Sequence, residues 1–397
     1  MNETPSRRAL LKTLAGAAAG FAAFPARSVF SAGPPPQRRD GQPTGREHVA
    51  MADLVRQFNR QYQVPSTSVA ISRNGQFVFD QAFGIEDKKE LQQSGISTMY
   101  RIADLSKAIT AVAIFVLVEK GALNLSQKVF GAGNLFGDKY GGPPYPQYVT
   151  DVTVDNLLTN TSGGWANGPT DASNPMYQHN GWDQTKLIAE TLKNSPLMSP
   201  PGQTWAYSDF GYCVLGRVIE QVSGQPYADF VQANVLAPCG ITGMYIGGNS
   251  EHQRGPNEAI YIGQYSEKPY SLNVTRLDST CGWVASPSQL VQFLNHIGGN
   301  GEIPSILKPE TIRAMTTPTP AYTADTPGKW ARGWMVTADG TWSLSGSMAG
   351  STSTMTRTAN GLCWAALASS RTEPYNEIEA AMDQMMWQMT SIPGWTS

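Results

Sequence analysis

Residues 100–112 read YRIADLSKAITAV, a short segment with polar side chains that leads into a long apolar run. The run ends near Lys120 and Gly121, a pairing typical of a helix C-terminus, so the sequence predicts a helix from about Leu105 to Gly121. Asp104 and Lys107 lie three positions apart where this helix begins, and this spacing places both side chains on one helical face. We therefore expect an acid and an amine to meet at the helix N-terminus.

Three further segments combine closely spaced polar residues with glycine: LLTNTSG at residues 157–163, PGQTWAYSDFGY at residues 201–212 and WSLSGS at residues 342–347. Together with residues 100–112, and in the same order along the chain, they resemble the motifs of the penicillin-binding-protein and class C β-lactamase family of serine hydrolases. In that family the first helix begins with Ser-x-x-Lys, and its serine is the acylated nucleophile. The resemblance covers most of residues 50–390.

The resemblance implies a role for each matching residue. Lys107 corresponds to the lysine that accepts the proton of the nucleophile, and Tyr207 corresponds to the second proton-transfer group. Asp104 stands at the position of the serine, so residues 104, 107 and 207 are the predicted catalytic positions. The N–H group of Ser347 is the expected second oxyanion donor. The predicted substrate-binding positions are Asn160, Asp209, Ser345, Gly346 and Ser347.

The departures from the family pattern all concern chemistry. Asp104 replaces the hydroxyl, Asp209 replaces an asparagine, Leu344 replaces a basic residue, and Asn160 replaces a histidine. A carboxylate that attacked an acyl carbon would give a reactive anhydride, and loss of the nucleophile from a comparable catalytic unit lowers the rate roughly 10⁶-fold. Acylation of the usual kind is therefore not expected, and whether the protein is an enzyme stays open.

Several roles are open for Asp104. It can be structural, because an acid at a helix N-terminus contributes about 0.3–1 kcal/mol to stability. It can act as a general base on water, with Lys107 or Tyr207 as the acid. Ser106 as a displaced nucleophile is the least favoured role, because it lies about 200° around the helix from Asp104. Asp104 can also be an introduced substitution that traps a substrate in an otherwise active hydrolase.

The remaining patterns predict an α+β fold. An Asn-Gly turn at residues 74–75 joins two β-rich runs, which is a strong hairpin signal. Strands from both chain ends would form one antiparallel sheet with flanking helices and an all-α lobe, the β-lactamase/transpeptidase-like fold that the resemblance also implies. The predicted helices span residues 48–63, 210–222, 226–236, 287–297 and 375–389, and the predicted strands span residues 333–336, 341–346, 352–358 and 362–368.

The N-terminus has the features of an export signal. Residues 6–12, SRRALLK, match the twin-arginine pattern, and the apolar segment that follows is too short for a transmembrane helix. We predict an exported protein, periplasmic or secreted, with no stable membrane span after cleavage. The predicted divisions are a twin-arginine signal peptide (1–32), a linker (33–46) and a β-lactamase-like domain (47–397), whose α/β part comprises 47–121 and 276–397 and whose helical lobe comprises 122–275.

Composition excludes several classes of partner. Charged residues make up 15% of the chain and no basic stripe occurs, so a nucleic-acid partner is not expected. The four cysteines have no Cys-x-x-Cys spacing and the four histidines have no ligand spacing, so no metal and no cofactor are predicted. The cysteines are interpreted as buried free thiols, although export would permit a disulfide. Glu377 and Glu379 are expected on a solvated helix face, while Trp165, Trp182 and Trp283 would line a cleft or pack in the core.

These observations predict an exported β-lactamase-related, penicillin-binding-protein-like hydrolase fold with a degenerate nucleophile site. It would bind an acyl, peptide or ester ligand without covalent turnover, or hydrolyse it without acylation. The alternative is a non-catalytic cell-envelope protein that recognises peptidoglycan-type peptides. The identity of the substrate does not follow from the sequence.

Overall fold

The computed structural model describes residues 42–87, 89, 91–168, 173–264, 267–298, 303–372 and 375–393. The predicted signal peptide and most of the predicted linker lie outside these residues. The last two linker positions, Gly45 and Arg46, belong to the first helix.

The main sheet has eight antiparallel strands in the order β3-β2-β1-β11-β10-β9-β8-β7, and a small sheet has the order β4-β6-β5. The first long strand therefore pairs with the last one, as predicted for a sheet closed by both chain ends. The strands are β1 Ser66–Arg73, β2 Gln76–Asp87, β3 Gln92–Gln93, β4 Tyr100–Arg101, β5 Tyr245–Ile246, β6 Trp283–Ala285, β7 Gly328–Trp330, β8 Met335–Thr337, β9 Trp342–Met348, β10 Ser351–Arg357 and β11 Leu362–Ala368.

Helices cover both faces of the main sheet. Alternate residues of β11 face two separate cores, because side chains of a strand point to opposite faces in turn. One core contains α1 and α9, and the other contains α2, α5 and α7. The helices are α1 Gly45–Tyr62, α2 Leu105–Glu119, α3 Val154–Leu158, α4 Gln184–Asn194, α5 Asp209–Ser223, α6 Tyr227–Val231, α7 Pro287–Gly298, α8 Pro309–Thr316 and α9 Tyr375–Thr390.

Helix α2 is the centre of the larger core. Its first thirteen residues, 105–117, are all buried, in keeping with an apolar run that offers no polar face to solvent. It packs against α5 of the helical lobe on one side and against β9 and β10 on the other. The N-terminus of α2 therefore lies where the lobe meets the sheet.

Local sequence signals explain most of the element boundaries. The β1–β2 turn has Asn74 at φ 48° and Gly75 at φ 82°, both in the left-handed region that an Asn-Gly turn supplies. Helix α1 begins three residues earlier than predicted because Thr44 and Glu47 form a capping box. Strand β8 begins two residues later than predicted, after Gly333, whose φ is 86°.

Other predictions needed larger corrections. The predicted helix at 226–236 is a regular helix only over Tyr227–Val231, and residues 232–236 continue it as a π-helical turn. Helices α3, α4 and α8 and the short strands β3, β4, β5, β6 and β7 were not predicted. The four cysteines are buried free thiols, as interpreted from their spacing. Within the described residues, no helix has the length and apolar content that a membrane crossing requires.

Candidate active site

Asp104 lies at the N-terminus of α2, directly after a strained residue. The fully buried Ala103 has φ 46°, and Asp104 returns to φ −58° as the N-cap. The carboxylate of Asp104 makes no capping hydrogen bond to the first turn. Its side chain is 16% exposed, so it points away from the helix and toward an open cavity.

Lys107 is completely buried and binds two carboxylates. Its Nζ atom forms an ion pair with Oδ1 of Asp104 and lies 2.6 Å from Oδ1 of Asp209. Burial alone would lower the pKa of Lys107, but the charges of Asp104 and Asp209 outweigh it and hold the pKa well above its usual value. Lys107 is therefore an ammonium group that does not accept a proton.

Tyr207 and Asp209 are adjacent to this ion pair. The Tyr207 hydroxyl donates to Oδ1 of Asp104 at 2.8 Å, and the Lys107 ammonium lies 4.9 Å from the centre of the Tyr207 ring. Burial raises the pKa of Tyr207 well above its usual value, and the Asp104 charge raises it further, so the hydroxyl is a neutral donor. Asn174 donates to Oδ2 of Asp209 at 2.6 Å. The side chains of Asp104, Lys107, Tyr207 and Asp209, which the motifs assigned to one site, are therefore in contact.

Strand β9 passes very close to Asp104. A Cβ atom at Gly346 would lie 2.6 Å from the backbone nitrogen of Asp104 and 2.7 Å from its Cβ, so only glycine permits this approach. The Ser345 hydroxyl donates to Oγ1 of Thr354 at 3.0 Å. Ser345 and Ser347 both line the cavity, at positions predicted to bind substrate.

Asn160, a predicted substrate-binding position, is not among the residues that line the cavity. It is buried with φ 57°, and its side-chain oxygen accepts a hydrogen bond from the Ser208 nitrogen at 3.3 Å. Its backbone oxygen accepts a second one from Ala206 at 2.9 Å. Asn160 therefore holds the segment that carries Tyr207 and Asp209.

The cavity in front of Asp104 has a volume of about 490 Å³. Its walls combine polar side chains with four aromatic ones, and Leu344 lies at its side without filling it. Trp165 and Trp283 pack in the core and Trp182 stacks on His179, so none of these three lines the cavity. Sequence reasoning missed several residues that do line it, among them Tyr177, Trp205, Trp330, Arg371 and Glu379.

Glu379 was expected on a solvated face, and the structure corrects this. It is partly buried, lines the cavity from α9 and accepts a hydrogen bond from Ser347, whereas Glu377 is exposed as expected. Burial raises the pKa of Glu379, and the negative charge of Asp104 raises it further. The sequence pattern of α9 does not indicate that β9 lies beside Glu379.

Arg276 fixes the loop that brings Tyr177 to the cavity. The guanidinium is buried and donates to four backbone oxygens of this loop, those of Met176 and Gln178 at 2.7 Å, His179 at 2.6 Å and Trp182 at 3.0 Å. These bonds satisfy carbonyl groups of an irregular segment that has no ladder partner.

Asp104, Asp209 and Cys281 place three potential metal ligands within 4.8 Å of one another. The ammonium of Lys107 already lies among them, bound to both carboxylates and 3.8 Å from the sulfur of Cys281. Burial also raises the pKa of the Cys281 thiol well above its usual value, which favours the protonated form. This donor set fits Lys107 better than a metal ion.

Residues 51–384 match the sequence profile of the Beta-lactamase family. The chain belongs to this family. PbpX of Bacillus subtilis (strain 168) is 30% identical over 215 residues, which are 53% of this chain and 49% of that protein. The chain thus spans about half the length of this relative.

Solved structures agree with this assignment at the level of fold. An octameric penicillin-binding protein homologue from Pyrococcus abyssi has a TM-score of 0.68 at 24% identity, over 86% of this chain and 78% of that one. A D-amino acid amidase from Ochrobactrum anthropi SV3 has a TM-score of 0.68 at 20% identity, over 87% of this chain and 99% of that one. The predicted β-lactamase/transpeptidase-like α+β fold is confirmed.

Proposed function

We propose that this protein is a β-lactamase-related hydrolase-fold protein that binds a small acyl, peptide or ester ligand in the cavity and does not form an acyl adduct at residue 104. The observation that carries the proposal is the state of Lys107. Two carboxylates hold this side chain as an ammonium, so it is not available as the base that an acylating serine hydrolase needs. The carboxylate of Asp104 supplies no hydroxyl to acylate.

The ligand class is supported by the size and walls of the cavity and by the proteins that share the fold. A volume of about 490 Å³ fits a small ligand, and aromatic side chains offer it apolar contact. One structural neighbour is a D-amino acid amidase complexed with D-phenylalanine, and another is a hydrolase with acyltransferase activity. These neighbours favour a small amide or ester as the ligand. They give less support to the alternative, in which a non-catalytic protein recognises peptidoglycan-type peptides.

Intact-protein mass spectrometry tests the proposal. The wild-type protein is incubated with a chromogenic cephalosporin and with a short-chain nitrophenyl ester, and no mass increase is expected. The double variant Asp104→Ser with Asp209→Asn supplies a hydroxyl and releases Lys107 from both carboxylates, so it should gain an acyl adduct. Asp104→Ala with Asp209→Asn is the matched control, because it releases Lys107 without supplying a hydroxyl. A stable adduct on residue 104 of the wild-type chain would refute the proposal.

One observation favours direct hydrolysis by water as a second candidate. The Asp104 carboxylate reaches the cavity and accepts a hydrogen bond from Tyr207, so a base and a proton donor lie side by side. This candidate predicts slow ester turnover without an adduct, abolished by Asp104→Asn. Turnover that survives this substitution would remove Asp104 from any catalytic role.

We also propose that the protein is exported through its N-terminal twin-arginine segment. The support is the sequence of residues 6–12 and the apolar segment after it. Replacing Arg7 and Arg8 by lysine should retain the precursor inside a twin-arginine-competent bacterial host, whereas the unchanged chain should appear outside the cytoplasm. Equal export of both chains would exclude this route.

A further inference from the structure

The cavity carries an excess of negative charge. Its charged lining side chains are Asp104, Asp209, Glu379 and Arg371. Arg371 forms a buried ion pair with Glu267, so this pair adds no net charge, although the charge of Arg371 partly offsets the rise in the pKa of Glu379. Asp104 and Asp209 share the single ammonium of Lys107, which leaves this group with one net negative charge when both are ionised. Glu379 then adds a second negative charge.

Asp104 has an oxygen that remains open to a ligand. Its Oδ1 atom receives both Lys107 and Tyr207. Its Oδ2 atom has no hydrogen-bond donor among the described residues, and it lies on the side of Gly346, next to the cavity. A carboxylate oxygen has room for further donors, so a ligand N–H group is a suitable partner.

Glu379 lies near the same place from another element. It extends from α9, accepts a hydrogen bond from the Ser347 hydroxyl and lines the same cavity as Asp104, whose charge contributes to raising the pKa of Glu379. Two acids from different elements, α2 and α9, thus line one cavity, Asp104 beside Gly346 and Glu379 beside Ser347 of β9. A cation between them would relieve their mutual repulsion.

On β9, residue 344 is a leucine at the position where the family pattern has a basic side chain. Leu344 lines the cavity there and is 4% exposed. A carboxylate ligand would therefore meet two acids and an aliphatic group, with Arg371 already paired. Trp205, Tyr207 and Trp330 form an aromatic wall across the cavity, and their ring faces attract cations as well as apolar groups.

We propose that the ligand of this cavity carries a primary ammonium group that lies between Asp104 and Glu379. An apolar or aromatic group of the same ligand contacts the aromatic wall. This inference rests on the proposed function, because it names the ligand class of the same cavity. The class is an amino amide or amino ester with a free amine and no free carboxylate.

Calorimetric titration of the wild-type protein at neutral pH tests the inference with three matched probes. Phenylalanine amide has the ammonium, N-acetylphenylalanine amide is neutral, and N-acetylphenylalanine is anionic; both enantiomers of each are measured. Charge-assisted hydrogen bonds predict that phenylalanine amide binds at least about tenfold more tightly than its N-acetyl form. The anionic probe should bind most weakly, and added salt should reduce the preference for the amine.

Variants locate the preference on Glu379. Glu379→Gln keeps the shape and the bond to Ser347, and it should reduce the preference for phenylalanine amide over its N-acetyl form severalfold. Glu377→Gln removes an exposed acid two positions away on the same helix and should leave the preference unchanged. Because the wild-type protein alone gives the probe ranking, the result does not depend on how well a variant folds.

Tighter or equal binding of the neutral or anionic probe would overturn the inference, and so would the absence of binding by phenylalanine amide. Neither result concerns the adduct at residue 104, which mass spectrometry measures separately. Failure of the ligand class and failure of the non-acylating site are therefore distinguishable.

Discussion

Replacement of Lys107 by methionine should destabilise the protein strongly. The methionine side chain has a similar length, but it leaves the carboxylates of Asp104 and Asp209 facing each other without a cation. The side chain of Lys107 is 0% exposed, and those of Asp104 and Asp209 are 16% and 3% exposed, so water cannot replace the lost partner of Asp209 and replaces that of Asp104 only in part, from the cavity. Breaking a buried ion pair from one side costs about 3–5 kcal/mol. Because two carboxylates lose their partner, we expect about 5 kcal/mol.

Equilibrium unfolding in urea at neutral pH measures this change in the free energy of unfolding. Lys128→Met is the matched control, because Lys128 and Asp151 form an ion pair at 2.7 Å whose side chains are 49% and 55% exposed. An exposed pair contributes about 0–1 kcal/mol, so this control should unfold almost as the wild type does. The triple variant with Asp104→Asn, Lys107→Met and Asp209→Asn should recover much of the loss, since it buries no charge.

Two results would refute this reasoning. If Lys107→Met is as stable as the control, the carboxylates are not held by a buried cation. If the triple variant is as unstable as Lys107→Met alone, the loss comes from packing around the methionine and not from unpaired charge.

Three further predictions concern the cavity walls. Gly346→Ala should destabilise the protein by about 1–3 kcal/mol and weaken ligand binding, since the added methyl group would lie 2.6 Å from the Asp104 nitrogen. Thermal unfolding and calorimetric ligand titration measure these two effects. An unchanged melting temperature and an unchanged affinity would contradict the prediction. Glu379→Gln should raise the melting temperature at neutral pH. Burial raises the pKa of Glu379 in the folded protein, so the contribution of this side chain to stability is full below the ordinary pKa of glutamate and is lost as the pH rises through the raised value. The gain in stability from glutamine should therefore vanish in acid. A gain that persists at acidic pH would exclude the charge of Glu379 as its cause. Arg276→Met should unpair four loop carbonyls, cost at least about 1–3 kcal/mol and speed proteolytic cleavage near Tyr177, whereas unchanged cleavage rates would show that the loop is held elsewhere.

The fold was predictable because its signals are local and repeated. The Asn-Gly turn, the apolar run of α2 and the short apolar run of β11 each indicate one element, and the order of the motifs indicates how the elements meet. The boundaries that were wrong depended on side-chain contacts across a few residues, such as the capping box of Thr44 and Glu47. Such contacts shift a helix start without changing the hydrophobic pattern.

The site was predictable only in part. The resemblance to the family motifs assigned Asp104, Lys107, Tyr207 and Asp209 to one site, and in the structure these four side chains are in contact. That both acids bind the same amine could not be predicted, because this contact joins α2 to α5. Glu379 was missed for a similar reason: its helical spacing fits a solvated face, and only the packing of α9 against β9 turns it toward the cavity.

The left-handed backbone at Ala103 has a practical consequence. A non-glycine residue in this region costs about 1–3 kcal/mol, and here hydrogen bonds from the Ile102 nitrogen to Trp283 and from Ser353 to the Ile102 oxygen hold the segment in place. None of these bonds uses the side chain of residue 104. The backbone conformation at residue 104 is therefore held without its side chain. A thiol, a fluorophore attachment point or an unnatural amino acid introduced at position 104 would face the cavity without redesign of the surrounding loops.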